Sequence, residues 1–250
     1  TAIPPGDDAA LLAMEEAGVG LALSAGSNPD WTSTAPYDGA RAVAVENATN
    51  LAAAGATPLA AVDCLNGGNP EKPAVYGAFA AAVDGLADAC RALSVPVVGG
   101  NVSLYNDSAD GPVPPTPTVA MVGTAPDYDA PGTAATGRGD LLLVGDPSGR
   151  LGGSTYLATR GGSDRFPTLP EEPRSVVEAL AAVANQEGTR AVHDVSRGGL
   201  AVALAEMVTA DAGLRAEVDD ATALFEETPG RAVVETDDAD AVRAAFDGVA

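Results

Sequence analysis

Apolar runs that empty into paired glycines, set between Ala-rich segments of helical period, constrain this chain more than any other feature. Val95-Pro96-Val97-Val98 reaches Gly99-Gly100, and Ala191-Val192 leads into His193-Asp194-Val195-Ser196-Arg197-Gly198-Gly199. Short strands of this kind alternating with helices make an α/β layer, so the expected fold class is α/β (α+β). The helices are expected over Gly39 to Ala54, where Ala40, Val43, Ala44, Asn47 and Leu51 recur at helical spacing, and over Val75 to Leu93, Pro173 to about Gln186 and Leu200 to Val208. Leu59 to Val62, Thr118 to Gly123 and Leu141 to Val144 read as strands, and the polar Ser24 to Asp38 as a long loop. Ala125 to Gly139 is rich in Pro, Gly, Thr and Asp without apolar period, which sets a boundary between domains 1–132 and 133–250.

Charge excludes one broad class of partner. Thirty-five acidic residues stand against 13 basic ones and a single histidine, a formal charge of −22. A sequence-blind grip on nucleic acid needs clustered Lys and Arg to replace phosphate counterions, so no nucleic-acid partner is expected. No stretch reaches the eighteen or so apolar residues of a membrane span, and Thr1 opens no signal pattern, so no membrane is expected either. Cys64 and Cys90 are too few for a disulfide framework, and a reduced, cytoplasmic location fits. The absent initiator Met and the abrupt Val249-Ala250 end are expected of a piece of a longer chain.

Three groups of residues suit ligand chemistry. In His193 to Leu200, glycines let backbone N–H groups approach a ligand, a helix N-terminus favours an anion, Asp194 offers a hard oxygen for Mg²⁺ and Ser196 a hydroxyl for phosphate. A helix cap by Asp194 or Ser196 would look the same. In Val98 to Asp107 a strand leads into glycines, then Asn101, Ser103, Asn106 and Asp107, at a strand end where α/β sheets place ligands. Local turn bonding by Asn and Asp would also produce that pattern. Glu46 and Asn50, at i and i+4, put two oxygens on one helix face, as a cation site or a solvated face would.

Together the segments AVAVENATNLAAAGATPLA from Ala42, DCLNGGNPEKP from Asp63, PVVGGNVSLYND from Pro96, PTPTVAMVG from Pro115, GDLLLVG from Gly139, LGGSTYL from Leu151, HDVSRGGLAVALAEM from His193 and LFEETPGR from Leu224 resemble phosphoribosylformylglycinamidine synthase. The resemblance covers nearly the whole chain. It implies the tandem amino-terminal and carboxy-terminal domains of the aminoimidazole ribonucleotide synthetase-like superfamily, here the second such pair of a four-domain synthetase. That family turns formylglycinamide ribonucleotide, ATP and glutamine-derived ammonia into formylglycinamidine ribonucleotide, ADP and phosphate. By motif, Asp63 and Gly100 resemble ATP contacts, Asn101 a Mg²⁺ ligand and Ser103 a substrate contact. Glu46, Asn50 and Asp194 resemble Mg²⁺ ligands of an auxiliary ATP or ADP site, with Ser196 touching the nucleotide.

The resemblance implies no catalytic residue in this half, so the fragment alone is expected to be inactive, and His193 is not the family's catalytic histidine. Implied partners are the first half of the synthetase, its glutaminase and its small accessory subunits, or a second copy of the fragment in their place. Arg197 stands where the family usually has Asp or Glu, Gly67 where it has Phe, and Asp107 where it has Glu. The alternatives are another enzyme of the superfamily, such as aminoimidazole ribonucleotide synthetase, thiamine-monophosphate kinase or selenophosphate synthetase, or a noncatalytic nucleotide-binding module. The NPEKP and GGNVSLYN segments disfavour those enzymes. With Lys72 as its only lysine, the chain also resembles proteins of salt-loving archaea, in which molar salt shortens screening to about 3 Å.

Overall fold

The computed structural model describes residues 3, 6–218 and 220–249. Its first part holds β1 (Ala10–Met14), β2 (Val19–Gly26), α1 (Pro29–Thr34), α2 (Pro36–Ala53), β3 (Thr57–Asn66), α3 (Pro73–Ala92), β4 (Val97–Ser103), the hairpin of β5 (Asp107–Ser108) and β6 (Gly111–Pro112), and β7 (Thr116–Ala125). The second part holds β8 (Asp140–Val144), α4 (Thr155–Arg160), α5 (Pro173–Ala184), β9 (Thr189–Asp194), α6 (Gly199–Met207), a 3-10 turn (Ala221–Leu224), β10 (Ala232–Thr236) and α7 (Ala239–Ala245).

The five-stranded sheet runs β1-β2-β7-β3-β4, with β3 and β4 parallel and the other pairs antiparallel; the three-stranded sheet runs β8-β10-β9, all antiparallel. Alternation along β2 and β7 buries Ala22, Ser24, Val119 and Met121 on one face. The other face is open, with Leu23 and Val62 at 38% and 41% exposure.

Helix α2 explains how the two parts hold together. Thirteen of its 18 residues are buried, so its apolar residues ring the axis instead of forming one stripe, as expected of a helix packed on several sides. It packs on β2, β3 and β7, on α3, and on α5 and β9 of the second part. One core therefore runs from Leu11, Leu51 and Met121 through to Leu180, Val183, Val192 and Val234. A smaller cluster of Val195, Leu200, Ala203, Met207 and Val233 lies under α6.

Three expectations need correction. Ser24 to Asp38 is not a loop: Ser24 to Gly26 continue β2, and two short helical starts follow, Asn28 capping α1 through its side chain and Pro36 opening α2. β3 does not stop at Val62: Asp63 to Asn66 continue it, because each has a ladder partner in β7 and β4. Gly99 and Gly100 lie within β4 and do not end it. Gly100 has φ of +149°, and a Cβ there would sit 2.0 Å from the Asp63 carbonyl oxygen, so the close β3–β4 approach demands glycine.

The linker is pinned along its length. Asp7 accepts from the Thr133 amide and hydroxyl at 3.2 and 2.6 Å, Gly132 pairs with Ala191 beside β9, and the Glu235 carboxylate takes four donors from Thr136, Arg138 and Gly139 at 2.6–3.1 Å.

Candidate functional site

Glu46 and Asn50 project from one face of α2, where the Asn50 amide donates to Glu46 Oε1 at 3.1 Å and Asn47 donates to Oε2 at 3.3 Å. This leaves Asn50 Oδ1 buried without a hydrogen-bond partner. Asp194 closes β9 from the second part. Its carboxyl is driven well above the usual range by burial, by repulsion from Asp8 and by repulsion from Glu46, against the opposing pull of His193 and a hydrogen bond from Ser196. Glu46 is lifted to about 7, first by burial and further by Asp8. The acids on α2, β9 and the amino-terminal segment thus feel one another in a shared, largely dry space.

Asp8 joins this group although its pattern gave no role to it. One of its oxygens lies 2.6 Å from His193 Nδ1 and the other accepts the Asp194 amide at 2.9 Å. Ligand atoms of Asp8, His193 and Asp194 all fall within 4.8 Å of one another. Burial alone would lower His193, but Asp8, Asp194 and Glu206 outweigh it and raise the imidazole to about 9. Both ring nitrogens are engaged, Nε2 lying 3.1 Å from Glu206, so His193 braces the acids and is not free to act as a base. Clustered carboxylates with an orphaned amide oxygen suit a hard divalent cation bound through oxygen.

The second set does not converge with the first. In the β3–β4 register Asp63 faces Gly100, Cys64 faces Asn101 and Asn66 faces Ser103. Strand alternation therefore puts Asn101 and Ser103 on the open face, whereas Asp63 turns towards α3, where its charge helps raise the Cys90 thiol. Asp63 is lifted to about 6 by burial, with Oδ1 unpartnered. Ser103 Oγ accepts from the Asn106 amide at 3.2 Å. The single lysine, Lys72, bonds Asp107 at 2.6 Å and ties the NPEKP segment to the hairpin.

Residues 6–125 match the AIR synthase related protein N-terminal domain, and 137–250 match the corresponding C-terminal domain. The chain belongs to the AIR synthase-related family. It is 67% identical over 250 residues to the phosphoribosylformylglycinamidine synthase subunit PurL of Haloquadratum walsbyi, covering all of this chain and 34% of that protein. The PurL subunit of Natronomonas pharaonis is 64% identical over 254 residues, with 36% of its length covered. The chain thus spans about a third of the length of these relatives. Thermotoga maritima PurL complexed with ATP shares the fold at a TM-score of 0.70 and 21% identity, over 95% of this chain and 36% of that one.

Within this AIR synthase-related chain the turn before α6 differs from an open phosphate cradle. Gly198, with φ of +89°, caps α6, but its N–H is already bonded at 2.8 Å to the buried carboxylate of Glu227. An internal anion thus holds the helix end where an external one was expected. Arg197 pairs with Asp30 of α1 at 3.4 Å, and both side chains are exposed.

Proposed function

We propose that this chain is the carboxy-terminal half of the ATP-dependent synthetase that converts formylglycinamide ribonucleotide, with glutamine-derived ammonia, into formylglycinamidine ribonucleotide. The observation that carries this reading is 67% identity across the whole chain to a PurL subunit. Solved Thermotoga maritima PurL structures contain ATP, ADP or FGAR, which supports a nucleotide and the ribonucleotide as ligands. A PurLQS structure from the same organism supports further subunits as partners, which we read as the glutaminase and a small accessory protein. No helix among the described residues is long and apolar enough to cross a membrane, in keeping with work in the cytoplasm.

Glu46, Asn50, Asp194 and Asp8 would hold Mg²⁺ in an auxiliary site, with Ser196 beside the nucleotide. The cation supplies charge neutralisation for phosphate oxygens when bound. The protein's share is to keep those oxygens convergent: α2 fixes Glu46 and Asn50 one turn apart, and His193 holds Asp8 against Asp194. At the other site, Asn101 and Ser103 lie on the open face of β4, where Mg²⁺ and substrate would meet them once the remaining part of the polypeptide covers that face, while Asp63, paired with Gly100 in the ladder, faces α3 and would reach ATP only from the opposite side of the sheet. Phosphoryl transfer depends on a complete set of positioned charges. These residues alone, given Mg-ATP, substrate and ammonia, should therefore form no product, and adding the other half in trans should restore activity. Product formation by the purified chain alone would contradict the proposal.

A further inference from the structure

The segment LFEETPGR supplies no ligand to the sites above, yet its buried carboxylate Glu227 gathers donors from three separate segments. Glu227 is 1% exposed. Its Oε1 accepts both the Thr155 N–H at 2.7 Å, in the first turn of α4, and the Gly198 N–H at 2.8 Å, before α6. Its Oε2 accepts the indole N–H of Trp31 at 3.2 Å, and Trp31 belongs to α1 in the first part. One carboxylate thus joins the start of α4 and the turn after β9 in one domain to a helix of the other. All three neighbours are donors, which suits an acceptor-only group. The rest of the segment secures it: Glu226 pairs with buried Arg231 at 2.7 Å and accepts the Gly149 amide at 2.7 Å, and the Thr228 and Ser148 hydroxyls bond at 2.9 Å. Asp194 and Ser196 lie on the turn that Glu227 holds, while Glu46 lies on α2, immediately after α1.

We propose that Glu227 is a positioning residue, a latch between the domains that sets the Asp194–Gly199 turn opposite Glu46 and Asn50. This rests on the reading of that pocket as a cation and nucleotide site. The latch has a specific weakness. In Glu227→Gln the amide oxygen can keep the two backbone N–H groups, but the new NH₂ must then face the indole N–H, donor against donor. Trp31→Phe removes that conflict.

The test uses the complete protein containing this chain, in molar KCl well below its melting temperature. Mg-ADP is titrated by calorimetry, and deuterium uptake is followed in peptides covering 152–160 and 194–202. Glu227→Gln should weaken Mg-ADP by about tenfold and speed exchange in both peptides, as loss of a hydrogen bond to a charged group implies. Trp31→Phe should weaken it less, and the double variant should bind no worse than Trp31→Phe. A lower melting temperature with unchanged Mg-ADP affinity would overturn the latch, and so would losses that simply multiply in the double variant. Should Glu227→Gln not fold, unchanged affinity in Trp31→Phe would overturn it. Should wild type bind no Mg-ADP, the nucleotide reading falls, and unchanged exchange at 194–202 in Glu227→Gln would separately overturn the latch.

Discussion

Asp63 shows how burial turns an acid into a liability. Its carboxyl rises from about 3.8 to about 6 through desolvation, so the folded chain binds its proton more tightly than the unfolded one. Its contribution is therefore favourable below the unfolded value and is lost as pH climbs through 6, the reverse of an acid paired with a cation. Melting temperatures in molar salt from pH 4 to 7 should carry this downward term, and Asp63→Asn should remove it and melt higher than wild type at pH 7. An identical pH slope in the two proteins would contradict it. At this scale Glu46, Asn50 and Asp194 were legible because motif and helical spacing point to them. Asp8 was not, because its partner His193 lies 185 positions away and only tertiary structure joins them. Glu227 was hidden for the same reason, since its three donors come from three separate segments.

Elements were legible where their period was clean. The Ala-rich helices and the apolar strands stand close to where spacing placed them, but β3 and β4 extend through turn-forming residues because ladder bonds outweigh local preference. The Pro- and Gly-rich linker has the composition of a free connection, yet Asp7 and Glu235 fix it from both sides. Glu235 is 1% exposed. Glu235→Ala would leave the Thr136, Arg138 and Gly139 amides without their acceptor and should cost about 2–4 kcal/mol, more than one exposed cap provides. Chemical denaturation in high salt measures this, and a loss below about 0.5 kcal/mol would show that water replaces the carboxylate.

At the scale of the whole molecule, the charge of −22 repels itself unless salt screens it. Circular dichroism over a KCl series should show folding only towards molar salt, and full cooperative folding at a few millimolar would contradict this. The open face of the five-stranded sheet bears exposed Leu23 and Val62, and composition alone could not reveal it; in the proposed function the remaining part of the polypeptide covers it. In the proposed function the two domains, joined through α2, hold one Mg-nucleotide between Glu46 and Asn50 on one side and Asp194 on the other. Calorimetric titration of Mg-ADP into wild type and Asp194→Asn tests it most directly. The substitution keeps the volume and removes one acid from a crowded buried group, so stability should be unchanged or higher while affinity falls by about tenfold or more. Equal affinities would contradict the account and leave Asp194 with a structural role at the end of β9.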